Sequence, residues 1–191
     1  MKFNLHATCL HIMSDSSKIV IVSGTNRANS LSRQIAEVYS KILDNLHTSN
    51  EIVDLSGLPP NFPHTALYEN AGRDAKFNTY REIMVKAHKF IFIVPEYNGS
   101  FPGILKAFID GLIFPDTFKN KKCALVGISS GTQGGGLALS HLTDIFNYCG
   151  THVLALKPRL FHINKHLQDG ILKNELYMGL LQEQAESLIL F

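Results

Sequence analysis

Apolar residues in this chain fall into short unbroken runs that alternate with stretches of helical spacing. Residues 18–24, KIVIVSG, form a continuous apolar run closed by glycine, the pattern of a strand buried on both faces. After a polar turn, Leu31, Ile35, Val38, Ile42 and Leu46 recur at helical spacing, with Ser30 as the cap. Arg33 stands where a complete capping box needs Glu or Gln. Residues 51–55 predict a second strand and residues 74–86 a second, weakly amphipathic helix. Between them, SGLPPNFPHTALYENAG reads as a surface crossover. Residues 88–94 predict the third strand. Residues 102–112 predict the third helix, with Pro102 in the first turn, where its missing N–H costs nothing. Residues 123–130 predict a fourth strand, and Ala138, Leu142, Ile145 and Cys149 mark a fourth helix. Residues 151–156 read as a short fifth strand, and the final helix is expected within 172–190.

Strands that alternate with helices specify an α/β fold with a doubly wound parallel sheet. Polar loops follow the first, third and fourth strands. Together with the length, they favour a flavodoxin-like five-stranded sheet in the order 2-1-3-4-5 over a longer dinucleotide-binding fold. No G-x-G-x-x-G follows the first strand, and no G-x-x-x-x-G-K-[ST] is present, which argues against a nucleotide triphosphatase.

The 191 residues fit one such domain over 18–191, preceded by a flexible leader over 1–17. In the leader, His6, Thr8 and His11 interrupt the apolar part, so it lacks the pattern of a signal peptide, and Met13 is an alternative start. No run reaches the roughly 18 apolar residues of a membrane span. The formal net charge of +2 is too small to imply a nucleic-acid partner. Cys9, Cys123 and Cys149 form no disulfide framework and fit a reducing, cytoplasmic compartment. His162 and His166 stand four apart without an acidic partner, so no metal site is expected. His141 and Asp144 read as a solvated helix pair.

The three polar loops converge at the carboxyl ends of the strands, where open α/β sheets bind ligands. SGTNRANS, residues 23–30, has the chemistry of a phosphate cradle: Gly24 for a tight turn, hydroxyls and amides from Ser23, Thr25, Asn29 and Ser30, N–H groups around Asn29 to Leu31, and Arg27 as a charged donor. A polar cap on an ordinary strand–helix turn is the alternative. PEYNGS, residues 95–100, offers backbone groups for the edge of a planar heterocycle and Tyr97 for its face. Glu96 has no second carboxylate beside it and reads as a loop-ordering or surface group. SSGTQGGG, residues 129–136, carries glycines that permit close approach to a flat ligand, or simply an αL turn before the helix.

At this point the residues become specific. GTNRANS, residues 24–30, resembles the G-S-x-R-x-x-S loop of the NADPH-dependent FMN reductase family, with Thr25 in place of serine. Pro95-Glu96-Tyr97-Asn98-Gly99-Ser100, with Pro102-Gly103 and Leu105-Lys106, is similar to its P-E-Y-N-x-S-x-P-G-x-L-K signature. The resemblance spans roughly residues 18–156. It implies non-covalent FMN, with NADPH or NADH as hydride donor and a small acceptor such as a flavin, quinone, azo compound or metal oxyanion. It also implies that Ser23, Thr25, Arg27, Asn29, Ser30 and Leu31 hold the FMN phosphate. Pro95, Glu96, Tyr97, Asn98 and Gly99 would line the isoalloxazine, and Ser129, Gly131 and Gly134 would approach the ring. No side chain is expected to be catalytic, because the flavin carries the chemistry. A homodimer or homotetramer follows from the same resemblance, with the helix after the signature near the interface. Gly111 departs from the tryptophan common in the family at that position. An FMN-containing electron carrier or redox-responsive interaction protein without significant NAD(P)H turnover is the competing reading.

Overall fold

The unbroken apolar runs become central strands because both of their faces are covered. Val20, Val22, Phe90, Phe92, Cys123 and Leu125 belong to one core cluster, and the intervening Ile19, Ile21, Ile91, Ile93, Ala124 and Val126 to the other. The two-residue period of a strand sends neighbours to opposite faces, so a run with two covered faces has no polar positions to spare.

The computed structural model describes residues 18–191. The expected leader, Met13 and Cys9 lie outside them. In chain order the elements are β1 (Ile19–Ser23), α1 (Leu31–Asn45), β2 (Asn50–Asp54), α2 (Phe62–Thr65), α3 (Ala75–Lys86), β3 (Lys89–Pro95), α4 (Gly103–Gly111), β4 (Lys122–Ile128), α5 (Gly136–Tyr148), β5 (His152–Val153), β6 (Arg159–Leu160), α6 (Ile163–His166), β7 (Leu167–Gln168), β8 (Ile171–Leu172) and α7 (Glu175–Leu190). The main sheet runs β2-β1-β3-β4-β5, all parallel, which is the doubly wound flavodoxin-like order. α1 and α7 cover one face. α3, α4, α5 and the segment around α2 cover the other.

Helix starts follow the local chemistry. Ser30 caps α1 by accepting from the N–H of Arg33, and Asp74 caps α3 by accepting from that of Phe77. Pro102 sits at the cap position just outside α4 and not in its first turn.

The fifth strand differs from the expected 151–156. It is split into β5, paired with Lys122 and Cys123, and β6, paired with Gly127 and Ile128. Seven steps along this edge, 152 to 159, span five along β4, 122 to 127, so the edge bulges. Pro158 lies in the bulge, where a residue without an N–H breaks no ladder bond. Gln184 of α7, fully buried, anchors the bulge from below. Its amide donates to Leu156 O at 2.7 Å and Leu125 O at 3.0 Å, and its oxygen accepts from Tyr39 Oη at 3.1 Å.

The crossover after β2 is not confined to the surface. Leu58, Phe62, Ala66 and Leu67 are buried, and the Phe62 ring stacks on Phe77 at 5.1 Å. Phe77 also explains Gly111: a Cβ there would come within 2.6 Å of the Phe77 ring. The space next to this point of α4 is already filled by an aromatic from α3. The β7–β8 hairpin was not anticipated from the sequence. Its Asp169-Gly170 turn, with both residues at positive φ, is the available signal.

No helix among the described residues is long and apolar enough to cross a membrane. Burial pushes the Cys123 thiol well above its ordinary pKa, so it stays protonated at neutral pH. Among the described residues no cluster of His, Cys, Asp or Glu is arranged to hold a metal ion.

Candidate active site

A cleft of about 450 Å³ opens at the carboxyl ends of β1, β3 and β4, and all three polar loops line it. From the first loop come Thr25, Arg27, Ala28, Asn29, Ser30, Leu31 and Ser32. The second supplies Pro95, Glu96 and Tyr97, and the third runs from Ile128 to Gln133. Of the residues singled out in the sequence, Thr25, Arg27, Asn29, Ser30, Leu31, Pro95, Glu96, Tyr97, Ser129 and Gly131 are brought together here. Ser23, Asn98, Gly99 and Gly134 are not among the lining residues.

The first loop leaves β1 at Ser23. Gly24 is required by close packing, not by a special turn conformation: an added Cβ would lie 2.8 Å from Ile93 O and 3.3 Å from Leu105 Cδ2. Asn29 takes a left-handed φ of 52°, which asparagine tolerates better than most residues, and turns the chain into α1. Ser30 Oγ and O occupy the N–H groups of Arg33 and Gln34. The N–H groups of Leu31 and Ser32 have no intrahelical acceptor. The Ser32 hydroxyl, buried and lining the cleft, has no partner, and the Arg27 guanidinium makes no hydrogen bond or ion pair among the described residues. Among the described residues, this end of the cleft is a set of unused donors and one free cation at the positive pole of a 15-residue helix.

The second loop is a tight hairpin. Tyr97 and Ser100 exchange backbone hydrogen bonds of 2.8 and 3.0 Å, and Asn98 and Gly99 between them have φ of 51° and 76°. Asn-Gly at the two positive-φ positions is the preferred chemistry of such a turn. Asn98 and Gly99 therefore form its tip, and the cleft is walled by Pro95 to Tyr97 instead. Tyr97 Oη shares a hydrogen bond of 2.8 Å with Thr25 Oγ1, which latches the second loop to the first. Glu96 Oε2 accepts from Gly135 N at 3.0 Å and ties the second loop to the third, which is its loop-ordering role. His141 is not paired with Asp144: its Nδ1 shares a 2.9 Å hydrogen bond with Ser100 Oγ.

In the third loop the glycines serve the protein's own packing. A Cβ on Gly134 would strike the Arg159 side chain at 2.8 Å, and one on Gly135 would lie 3.0 Å from Gly127 Cα. Gly131 alone faces open space. Ser129 Oγ donates to Gly131 O and accepts from Gly134 N, both at 2.9 Å, closing the loop on itself. Sequence reasoning missed Ile163, which lines the cleft from the start of α6, and Ser32, Thr132 and Gln133. Ser32 was legible as the residue after a capped helix start. Ile163 carries no local signal.

Residues 17–162 match the family described as NADPH-dependent FMN reductase. The chain belongs to that family. It is an NAD(P)H-dependent oxidoreductase, and membership implies FMN as the resident cofactor. The chain is 29% identical over 188 residues to an NAD(P)H-dependent FMN reductase of Pseudomonas aeruginosa, covering 94% of this chain and 97% of that one. It is 31% identical over 166 residues to an NAD(P)H:quinone oxidoreductase of Solanum tuberosum, covering 83% and 84%. Among solved structures it is similar in fold to FerB, a flavoenzyme NAD(P)H:(acceptor) oxidoreductase from Paracoccus denitrificans. That match has a TM-score of 0.73 at 22% identity, over 91% of this chain and 95% of that one.

Proposed function

We propose that the three-loop cleft holds FMN, with its phosphate on the first loop and its ring between Tyr97 and the third loop, and that the enzyme passes electrons from NAD(P)H to a small quinone or flavin. The observation that carries this reading is the donor set at the start of α1, where, among the described residues, the Ser32 hydroxyl, the N–H groups of Leu31 and Ser32, and the Arg27 guanidinium have no partner. A buried polar group without a partner costs stability, and a phosphate dianion satisfies several such donors at once. Thr25, Asn29 and Ser30 complete the cradle. Thr25 also fixes Tyr97 through their shared hydrogen bond, so phosphate and ring subsites are held at a set separation.

When bound, FMN supplies the hydride and electron-transfer chemistry. The chain's own residues bind and orient. Pro95 and Tyr97 shape the ring wall, Glu96 holds the third loop through Gly135, and Ser129 closes that loop through Gly131 and Gly134. Ser23 lies buried behind the cradle with an unpartnered hydroxyl, and Asn98 and Gly99 set the turn that aims Tyr97. The quinone assignment draws on the Solanum tuberosum relative and the flavin alternative on the Pseudomonas aeruginosa one. Purified protein mixed with FMN should retain a visible flavin spectrum through gel filtration. Anaerobic NADH or NADPH should then bleach it, and a quinone should restore the colour. Loss of the flavin on the column would refute the cofactor site. Retention without bleaching would refute NAD(P)H as donor.

We read the protein further as a cytoplasmic homo-oligomer. An apolar groove of about 610 Å³ beside α4 and α5, with Tyr68, Phe114 and Tyr148 largely exposed, supports self-association. Light scattering on the purified protein should give a mass of two or four chains, and a monomer at micromolar concentration would reject this.

A further inference from the structure

The third loop is strapped by a dipeptide, His162-Ile163, that belongs to none of the three loop motifs. His162 N donates to Gly131 O at 2.9 Å, Ile163 N donates to Ser129 O at 3.0 Å, and His162 Nδ1 lies 3.1 Å from Ser130 O. A carbonyl oxygen only accepts, so Nδ1 carries the proton and donates. Three consecutive carbonyls of the loop are thus engaged by His162 and Ile163. The amides of the loop are the opposite case. The N–H groups of Ser130, Gly131, Thr132 and Gln133 donate to no acceptor among the described residues, and all four residues line the cleft. The loop therefore has spare donors and few spare acceptors on the cleft side. To make these contacts His162 adopts a φ of 48°, a left-handed conformation that is uncommon outside glycine but more accessible to histidine than to most residues. The strap is itself supported, since the Tyr177 hydroxyl donates to Phe161 O at 3.0 Å.

We infer that His162 is a positioning residue: its ring and backbone bonds hold the third loop with its donors available to the acceptor-bearing edge of FMN. This rests on the cofactor site proposed above. Carbonyl oxygens and ring nitrogens make that edge an acceptor surface, and it becomes more electron-rich when the flavin is reduced. Donors set toward it stabilise the reduced form more than the oxidised one. The consequence is both tighter binding and a less negative reduction potential.

Two substitutions separate the ring bond from the backbone strain. His162→Gly accepts positive φ freely and keeps the backbone N–H but removes the ring donor. His162→Asn tolerates the same φ, and its side-chain amide nitrogen takes the place of Nδ1. Hydrogen exchange on the FMN-free full-length protein should show faster exchange at the Ile163 amide in His162→Gly than in wild type or His162→Asn. FMN titration should give a Kd raised about three- to tenfold in His162→Gly. Dye-equilibration potentiometry should show its midpoint shifted negative, with a tenfold difference between the two redox forms equal to about 30 mV for a two-electron couple. His162→Asn should restore both values. If His162→Gly binds FMN with unchanged Kd and unchanged potential, the inference is overturned. If His162→Asn fails to rescue, the ring bond is not the cause and the inference is likewise overturned. Wild-type protein that takes up no FMN would instead overturn the cofactor site, and the exchange result would still report whether the strap exists.

Discussion

Arg27→Ala should raise the Kd for FMN about 10- to 150-fold, the range for loss of a charge-assisted hydrogen bond worth about 1.5–3 kcal/mol. The guanidinium stands at the cleft without a partner among the described residues, so none of their contacts compensates for its removal or suffers from it. The unfolding free energy of the FMN-free protein should therefore change by no more than about 0.5 kcal/mol. This combination distinguishes a ligand-binding residue from a structural one. Arg27→Lys should fall between, because an ammonium keeps the charge but loses the planar fork that pairs two phosphate oxygens. Raising the salt should weaken FMN binding more in wild type than in Arg27→Ala, since the exposed charge is screened. Titration of apoprotein with FMN, followed by flavin fluorescence, measures all three. An unchanged Kd in Arg27→Ala would remove Arg27 from the phosphate site and leave the α1 amides to bind it alone.

Gly127→Ala should destabilise the protein by about 3 kcal/mol, near the upper end for overpacking a close-packed interior. For a chain of this length that is a fall of about 6–12 °C in Tm. A Cβ at Gly127 would run directly into the carbonyl oxygen of Gly134 and press on Leu139 Cδ1 at 3.1 Å. The obstacle is backbone and cannot rotate away, so either β4 or the third loop must move. Moving the loop would disturb the Glu96–Gly135 and Ser129–Gly134 bonds, so FMN affinity should fall as well. Gly131→Ala is the control. A Cβ there meets nothing within 4 Å, and its cost to stability should stay within about 0.5 kcal/mol. Thermal unfolding of the two variants decides the matter. Equal melting temperatures would show that the loop yields easily and does not lean on β4.

The Gly127 and Gly131 outcomes bear on the glycine-rich third loop. In the sequence, GTQGGG offers close approach to a flat ligand, with an αL turn as the alternative. Once folded, Gly134 and Gly135 do take positive φ, yet their lack of side chains is used by Arg159 and by Gly127, which are protein neighbours. Gly131 is the loop glycine that lines the cleft and whose added Cβ would meet no atom of the described residues within 4 Å. Composition cannot distinguish these cases, because the atoms that would clash come from β4 and from the edge strand. The second loop is different. Its Asn98-Gly99 pair announces a two-residue hairpin turn by itself, and the turn forms. Hidden from the sequence is that this places Asn98 and Gly99 at the tip and leaves Pro95, Glu96 and Tyr97 on the cleft.

The sequence by itself determined the strand and helix alternation and the capped start of α1 with its exposed N–H groups, and it favoured the flavodoxin-like strand order. These rest on local chemistry: an apolar run long enough to be covered on both faces, a serine that caps a helix, and the unpaired amides every helix start leaves behind. Tertiary structure decided what depends on partners remote in the chain. It latched Tyr97 to Thr25 across 72 positions, tied Glu96 to Gly135 across 39, and brought His162 and Ile163 under the third loop. It also split the fifth strand, because an edge has pairing on one side only and can bulge where a buried Gln184 accommodates it. Local patterns encode which groups are left unsatisfied, and only the folded chain shows which of its own residues satisfy them and which remain for a ligand.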